Sequence, residues 1–320
     1  MIRKGIFAAL VCASFSCAAF AQTWPAKPIT FIVPSAAGSG VDVPTRLYTE
    51  RLGKALGQTI VVRNIVGASG AIGAQAAAKS APDGYTFFIA SAGHLIVNKY
   101  TMKTPGYDPY KDFTPVALLN RAPYMLLANT SVPAKTLAEL TAHAKANPGK
   151  LFLAFEGASV KAVATYLRAA LDLPIELVAY NSPLNAIQDT LGGTAQLHVQ
   201  GTAIGLAFVK DGRLRPLAVI SASRLLQLAD VPTLAELHPG FGAFDAWMSV
   251  VAPTGTPADI VRRMSAELHT IGSLQEVKSV FEKLGFFEET DRSPERAAAY
   301  IRSQSEQFDR MAKTANFVPE

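Results

Sequence analysis

The stretch ITFIVPSAAGSGVD, residues 29–42, joins a short apolar run to a helical pattern through a loop of small residues. Ile29–Val33 is rich in β-branched residues and lies between two prolines, which predicts a buried strand. Apolar positions at helical spacing run from Asp42 to Leu56, and Gly57 offers a C-terminal stop. The stretch therefore predicts the first strand, loop and helix of an α/β sheet.

The same alternation continues along the chain. TIVVR at 59–63 predicts a second strand, Gly70–Lys79 a second helix, and Thr86–Ala90 a third strand that follows the turn APDGYT at 81–86. A β-α-β-α-β order implies parallel strands joined by right-handed crossovers. The predicted fold class is therefore α/β.

A second α/β unit begins near Pro123, and the chain ends in helices that start near Thr256, Leu274 and Ser293. The predicted elements of the second unit are strands at 124–129, 151–156, 175–179, 195–200 and 214–220 and helices at 137–147, 159–171 and 182–191. A length of 320 residues suits two domains. No exact repeat relates the two units, so the sequence leaves open whether they are structural repeats.

The N-terminus has the pattern of a secretory signal peptide. A basic pair at 3–4 precedes the apolar or small residues 5–18, and the small-x-small site AFA ends at Ala21, so we expect export to the periplasm and cleavage after Ala21. The apolar run is shorter than the roughly 18–20 residues of a spanning helix, which disfavours an uncleaved anchor. A lipoprotein would use Cys17, but residues 14–16 match the required motif poorly.

Removal of residues 1–21 changes the composition. It leaves 299 residues, lowers the formal charge from +5 to +3, and removes both cysteines, Cys12 and Cys17. A mature chain without cysteine is neither a cysteine hydrolase nor a thiolate metal protein. The pI near 9.1 reflects a small excess of charge without long basic runs, so nucleic acid is not an expected partner.

Sequence motifs for catalysis and cofactor binding are missing. There is no Gly-x-Ser-x-Gly elbow and no Walker loop. Gly38-Ser39-Gly40 resembles the start of a dinucleotide fingerprint, but Val43 stands where the third glycine belongs. No two histidines are four residues apart, so neither a metal nor a cofactor is predicted. The five histidines are His94, His143, His198, His238 and His269.

The loop after the first predicted strand is a candidate anion site. Ligands of open α/β sheets bind beyond the carboxyl ends of the strands, and a helix N-terminus offers free amides and a partial positive charge. Small residues allow a ligand to approach those amides, although the loop is equally consistent with a plain connection. The candidate residues are Ser35, Ala36, Ala37, Gly38, Ser39, Gly40 and Asp42.

Three other predicted strand ends carry similar loops. They begin at Ser91, Glu156 and Tyr180, and they would converge with the first loop if the two units face each other across a cleft. A charged pair, Glu156 with Lys161, would then contact a ligand or remain a solvated pair. The candidates are Ser91, His94, Glu156, Ser159, Tyr180, Asn181 and Ser182.

Several segments together resemble one family, the periplasmic solute-binding proteins of the tripartite tricarboxylate transporter (the Bug or TctC-like receptors). The segments occur in the family's order across nearly the whole mature chain. They are WPAKPITFIVPSAAGSGVDVPTR at 24–46, APDGYT at 81–86, YDPYKDFTPVALL at 107–119, SVPAKTLAEL at 131–140, LGG at 191–193, DVPTLAEL at 230–237 and VAPTGTPADIVRRMSAEL at 251–268.

The resemblance implies a two-domain periplasmic binding protein, a Venus flytrap of type II-like topology. One domain would comprise 22–121 and 246–320, and the other 122–245, so that the helical tail packs on the first unit. The resemblance further implies a monomer that captures a small carboxylate in the interdomain cleft and passes it to membrane permease subunits. Loops of both domains would hold the ligand, among them Ser91–Asn98 and Tyr180–Pro183.

The sequence departs from the family pattern in the second domain. Asn181 replaces a common lysine, Gln196 and Gln200 replace common acidic residues, and Glu156 follows Phe155 in a loop that usually carries serines. Gln200 therefore joins the candidate site. These departures favour a monocarboxylate, aromatic or carrying an amine or amide, over a simple dicarboxylate.

Three functions are compatible with these residues. A transport receptor fits the resemblance, and a ligand sensor for a membrane signalling partner would have the same sequence features. A secreted hydrolase or lyase would use His94 with Asp42 or Glu156, and it would need a nucleophile within hydrogen-bond reach of that histidine.

Overall fold

The computed structural model of the chain describes residues 24–239, 241–242, 244–315 and 317. They form two five-stranded sheets with helices packed on their faces, which confirms the predicted α/β class. The predicted signal peptide at 1–21 lies outside the described residues. Within the described ranges, no helix is both long and apolar enough to cross a bilayer.

The strands and helices are numbered in chain order. The strands are β1 Ile29–Val33, β2 Ile60–Asn64, β3 Thr86–Ala90, β4 Phe113–Ala122, β5 Tyr124–Asn129, β6 Phe152–Glu156, β7 Glu176–Tyr180, β8 Leu197–Gly201, β9 Leu214–Ile220 and β10 Ala246–Pro253. The helices are α1 Asp42–Leu56, α2 Ala71–Ala78, α3 Asn98–Thr101, α4 Leu137–Ala146, α5 Gly157–Ala170, α6 Pro183–Gly192, α7 Thr202–Lys210, α8 Leu234–Leu237, α9 Ala258–Ser273, α10 Gln275–Lys283 and α11 Pro294–Ala315. A π-helical turn at Gly93–Val97 precedes α3.

The first sheet has the order β2-β1-β3-β10-β4. β1 runs parallel to β2 and β3, as the βαβαβ pattern predicts, with Ile29 opposite Ile60 and Thr30 opposite Thr86. β10 is antiparallel to both β3 and β4, so the completed sheet is mixed.

The second sheet has the order β7-β6-β8-β5-β9 and repeats the first strand by strand. β6 is parallel to β7 and β8, and β5 is antiparallel to β8 and β9. The two units are therefore structural repeats, which the sequence alone left open.

The sequence analysis missed two strands, β4 and β10. β4 contains Pro115, which usually argues against a strand but is tolerated here because β4 is the edge of its sheet. The β4–β10 register shifts beside this proline, between Val250 and Val251. No local sequence pattern predicts β10, because the strands it pairs with, β3 and β4, lie more than a hundred residues earlier in the chain.

The chain crosses between the sheets in two places. β4 ends at Ala122 and β5 begins at Tyr124, so Pro123 alone joins the sheets there. The return crossing leads into β10 at Ala246. The predicted domain borders at 121/122 and 245/246 fall beside these crossings, and the domain division itself stays a prediction.

Helices cover both faces of the first sheet, and aromatic packing fills its core. The rings of Phe31 and Phe87 stack with centroids 5.5 Å apart. Tyr48 of α1 is buried and donates its hydroxyl to the carbonyl of Leu119 at 3.2 Å. This fixes α1, and with it the loop before α1, against the sheet.

Each sheet with the helices packed on it is called a lobe, the first lobe containing β1–β4 and β10 and the second β5–β9. The last helix, α11, packs against both lobes and not against the first alone. It contacts β4 of the first sheet and α5 of the second. Phe308 of α11 is fully buried against Tyr100 and Phe244 at centroid distances of 5.1 and 5.6 Å. The tail therefore joins the two lobes on the side of the molecule where α5 lies.

A buried charge network lies beside the crossings. Arg121, at the end of β4, contacts Glu289 Oε2 at 2.7 Å through Nε and Asp245 Oδ2 at 3.5 Å through Nη1. Tyr300 of α11 donates to Asp245 at 3.2 Å. Burial raises the pKa of Asp245 to about 6, although the Arg121 charge opposes this. The Arg121 guanidinium thus pairs with two buried carboxylates, and Arg296 Nη2 adds a second contact to Glu289 at 3.5 Å.

We expect Arg121→Met to lower the free energy of unfolding by about 3 kcal/mol, because buried Asp245 loses its cation and Glu289 keeps only the longer contact with Arg296 Nη2 at 3.5 Å. Arg51→Met is the matched control, since Arg51 pairs with the exposed Glu276 and the loss should stay below about 1 kcal/mol. Urea unfolding measures both values, and equal losses in the two variants would contradict a structural role for the network.

Candidate functional site

Four strand ends meet at one cavity of about 200 Å³ between the two sheets. They are the carboxyl ends of β1 and β3 in the first sheet and of β6 and β8 in the second. Residues of both lobes and of both crossings form its wall. The lining residues are Gly40, Val41, Ser91, Ala92, Asn120, Ala122, Tyr124, Ser159, Gly201, Thr202, Ala203, Ala246, Trp247, Met248 and Phe286.

The loop after β1 is held by the side chain of Asp42. The Asp42 carboxylate accepts hydrogen bonds from the Gly38 amide at 2.8 Å, from Arg46 Nε at 2.8 Å and from Asn64 Nδ2 at 2.9 Å. Burial by itself would raise the pKa of Asp42, but the bonds from Arg46, Asn64 and Gly38 lower it below its usual value. Asp42 is therefore ionised and fixes the loop from within.

The rest of this loop divides between solvent and cavity. Gly38 has a φ of +77°, a conformation that favours glycine, and it is exposed together with Ala36 and Ala37. Ser35 and Ser39 bond to each other through their hydroxyls at 2.8 Å. Gly40 and Val41 line the cavity. The part of the loop nearest α1 therefore faces the site.

The β3 end contributes Ser91 to the cavity and fixes His94 behind it. His94 Nδ1 accepts the Ser91 amide at 3.1 Å and lies 3.0 Å from the Ser91 hydroxyl. Burial lowers the pKa of His94 to about 4, so the ring is neutral at neutral pH. Its Nε2 lies against Gly70, where a Cβ would come within 2.2 Å of that atom. His94 therefore positions Ser91 and lies outside the cavity lining.

The β6 end contributes Ser159 through helix α5. The N-cap residue Glu156 pairs with the buried His198, its Oε2 3.1 Å from Nε2. Ser159 hydrogen-bonds the Tyr124 side chain, and a Cβ on Gly93 would lie 3.2 Å from Ser159 Oγ. The start of α5 thus touches the first lobe across the cavity.

The β8 end contributes Gly201, Thr202 and Ala203 at the start of α7. Thr202 donates its hydroxyl to the carbonyl of Gly285 at 3.1 Å, which ties α7 to the first lobe. Gln200, one residue earlier, is buried and its Oε1 accepts the Gly201 amide at 2.8 Å. Gln200 supports the loop from behind instead of lining the cavity.

Free amides converge on this cavity. Gly40 and Val41 directly precede α1, and Ser159 and Ala203 lie in the first turns of α5 and α7, where backbone N–H groups have no acceptor within the helix. They belong to the N-termini of α1, α5 and α7, where each helix carries a partial positive charge. Such an arrangement binds an anion without a basic side chain.

The loop after β7 lies away from the cavity. Tyr180 donates its hydroxyl to Asp189 Oδ2 at 2.8 Å, and Ser182 caps α6 by accepting the Leu184 amide at 3.3 Å. β7 is the edge strand of its sheet, and its last residue, Tyr180, pairs in register with Glu156 of β6. Tyr180, Asn181 and Ser182 are absent from the lining residues, and their contact with a ligand stays a prediction.

Of the predicted site residues, the structure brings Gly40, Ser91 and Ser159 to the cavity wall. Asp42, His94, Glu156 and Gln200 hold the loops behind that wall. The sequence analysis missed Gly201–Ala203, although they follow a predicted strand as Ser91 does. It also missed the residues at the crossings, namely Asn120, Ala122, Tyr124, Ala246, Trp247 and Met248, for which no local signal exists.

A larger cavity, of about 500 Å³, lies between Ser223–Gln227 and the α10 region. Arg224, Lys278 and Arg292 in its wall are balanced by Glu282, Glu288 and Glu289. The strands that are followed by the predicted binding loops, β1, β3 and β6, end at the smaller cavity and not here. We therefore take the smaller cavity as the candidate site.

The hydrolase hypothesis needs a nucleophile within hydrogen-bond reach of His94, and the Ser91 hydroxyl lies 3.0 Å from His94 Nδ1. The two carboxylates of that hypothesis are paired elsewhere: Asp42 bonds Arg46 and Asn64, and Glu156 bonds His198. Within the described ranges, no cluster of three His, Cys, Asp or Glu side chains has metal-binding geometry.

Comparison with known proteins gives consistent matches. The model of the tripartite tricarboxylate transporter family receptor matches residues 45–317. A UPF0065 protein of Bordetella bronchiseptica is 36% identical over 304 residues, which cover 94% of this chain and 90% of that protein.

Two solved structures share the whole architecture. R. palustris Rpa4515 with adipate has a TM-score of 0.84 at 30% identity, and the match covers 93% of this chain and 100% of that one. The periplasmic binding protein BugD has a TM-score of 0.81 at 30% identity over the same shares of the two chains.

The low pKa of His94 predicts an acid-sensitive contribution to stability. Between pH 6.5 and 4 the unfolded chain binds more protons at this residue than the folded chain, so the free energy of unfolding falls as the pH is lowered. From pH 7.5 to 4.5 the wild type should lose about 2 kcal/mol more than His94→Gln in urea unfolding. His269→Gln, at an exposed position, should lose as much as the wild type. Equal losses in His94→Gln and the wild type would show that His94 is not buried as described.

Proposed function

The chain belongs to the tripartite tricarboxylate transporter receptor family. From that premise we propose that it is a periplasmic receptor that captures a small carboxylate between its two lobes. We propose that it then delivers the carboxylate to tripartite-type membrane permease subunits. Its family is one of solute receptors, and the relative Rpa4515 was solved with adipate. We further propose that it acts as a monomer without a cofactor.

The observation that carries this proposal is the set of helix N-terminal amides at the cavity. Gly40 and Val41 come from the first lobe, and Ser159 and Ala203 come from the second. A carboxylate has two oxygens with about four acceptor positions, so it can accept bonds from both lobes at once. The proposed ligand contacts are these four amides together with the Ser91 and Ser159 hydroxyls.

A ligand held in this way favours the closed form. Because the donors lie on different lobes, the ligand makes its full set of bonds only when the lobes approach each other. The closed form is then populated in proportion to the difference in affinity between the two states. We propose that closure turns 22–121 with 246–320 against 122–245 about the crossings at Pro123 and Ala246.

The same geometry supports binding without catalysis. The Ser91 hydroxyl lies 3.0 Å from His94 Nδ1, but that nitrogen also accepts the Ser91 amide, and among the described residues no carboxylate hydrogen-bonds the His94 ring. Asp42 and Glu156, the two other groups of the hydrolase hypothesis, are each paired elsewhere. We therefore propose that the chain has no enzymatic activity.

The leader supports delivery to the periplasm. We expect the chain expressed with its own N-terminus in a Gram-negative host to appear in the periplasmic fraction and to begin at Gln22. Intact mass spectrometry of the purified protein measures the new terminus. A protein that retains residues 1–21, or that begins with a lipidated Cys17, would contradict the proposed processing.

We expect Ala203→Leu to abolish carboxylate binding, because the larger side chain at the start of α7 fills the cavity of about 200 Å³. Ala207→Leu, one turn later on the exposed side of the same helix, is the matched control and should bind as the wild type does. Titration calorimetry and thermal unfolding with a panel of carboxylates measure the effect, since a ligand at 100 times its Kd adds about 2.7 kcal/mol of stability.

Two results would contradict the proposed function. One is a panel of carboxylates in which no compound stabilises the wild-type protein. The other is an Ala203→Leu variant that binds a carboxylate as tightly as the wild type, since that would place the ligand outside this cavity.

A further inference from the structure

The wall of the cavity carries no formal charge. Among the fifteen described residues that line it, there is no Lys, Arg, His, Asp or Glu. Two charged pairs lie behind the wall, Asp42 with Arg46 and Glu156 with His198. Among the described lining residues, positive potential therefore comes from helix N-termini and their amides.

This potential suits one carboxylate. The free amides of Gly40, Val41, Ser159 and Ala203 lie at the N-termini of helices of 15, 14 and 9 residues, and each helix N-terminus carries about half a positive charge. Trp247, which also lines the cavity, is 2% exposed and its indole N–H has no partner among the described residues. A second carboxylate would leave water without any cationic partner, which is unfavourable.

The remainder of the wall opposes a second negative charge. Tyr124, Met248 and Phe286 supply apolar surface. Burial raises the pKa of Tyr124, and the negative charges of Glu156 and Asp245 raise it further. The field that disfavours a tyrosinate at this position equally disfavours a second carboxylate, although Arg121 partly offsets the Asp245 charge.

The cavity also limits the size of the ligand. An apolar cavity of about 150 Å³ accommodates benzene, so about 200 Å³ accommodates a ring or a branched chain with one carboxylate. We propose that this receptor selects a monocarboxylate with a compact, uncharged apolar body and discriminates against dicarboxylates. This assignment rests on the proposed function and narrows it to one class of ligand.

The direct test compares ligand classes by titration calorimetry at pH 7.5 and equal ionic strength. The probes are benzoate and isovalerate as monocarboxylates, succinate and adipate as dicarboxylates, and valine as a zwitterion. We expect at least one monocarboxylate to bind 100-fold more tightly than either dicarboxylate and than valine. A dicarboxylate or valine that binds as tightly as the monocarboxylates would overturn the inference and leave the receptor function intact. Failure of every probe would overturn both.

A charge introduced into the wall provides a second test. Met248 lines the cavity on β10, and Met248→Lys replaces its side chain by one of similar length that carries a cation. We expect this variant to gain at least tenfold in affinity for succinate relative to benzoate. Met248→Gln is the neutral control and should keep the wild-type preference. A folded Met248→Lys variant with an unchanged preference would contradict the role assigned to the uncharged wall, and the ligand panel remains decisive if that variant does not fold.

Discussion

The direction of the parallel strands is the constraint on which the rest of this structure depends. β1 and β3 of the first sheet run parallel, and so do β6 and β8 of the second, so in each sheet two carboxyl ends lie at one edge, and the helix or turn that follows each strand begins there. The sheets carry the same strand order and face each other with these edges. Helix N-termini from both lobes consequently meet around a single cavity. Their amides supply the positive potential that other anion sites obtain from lysine or arginine.

The strands that cross between the sheets, β5 and β10, also bring residues to this cavity. The chain passes from β4 of the first sheet directly into β5 of the second, and it returns from the second sheet into β10 of the first. Both strands begin at the cavity, with Tyr124 and Ala246 in its wall. The crossings therefore lie beside this cavity, and Arg121, at the end of β4, pairs with the buried Asp245 and Glu289. A small rotation at these points changes the distance between the donors of the two lobes.

The sequence predicts the strands and helices whose positions depend on local apolar periodicity and turn residues. β1, α1 and β3 follow from apolar periodicity and turn residues, and the rule that ligands bind at strand ends selected Ser91 and Ser159, which the structure places in the cavity wall. The same rule selected Tyr180, which is absent from the lining; β7 is an edge strand, and edge position is a property of strand order that the sequence does not display. The rule also selected Asp42, whose carboxylate bonds Arg46 four residues later and Asn64 of β2. The sequence does not predict Trp247 and Met248 as wall residues, because β10 pairs with strands that lie far away in the sequence.

The charged residues next to the site explain how a neutral wall can be selective. Asp42, Glu156 and His94 each use their hydrogen-bonding capacity to fix a loop, so the loops present amides and hydroxyls in set positions instead of mobile charged side chains. Fixed dipoles need no reorganisation when an anion arrives, and they cannot follow a second charge placed elsewhere on the ligand. Because the donors are divided between lobes, the same dipoles also couple binding to closure. A ligand that contacts only one lobe has equal affinity for the open and closed forms and does not change the equilibrium between them. In the proposed receptor, selectivity for the ligand and the conformational response would therefore have one origin, the convergence of helix N-termini that strand direction imposes.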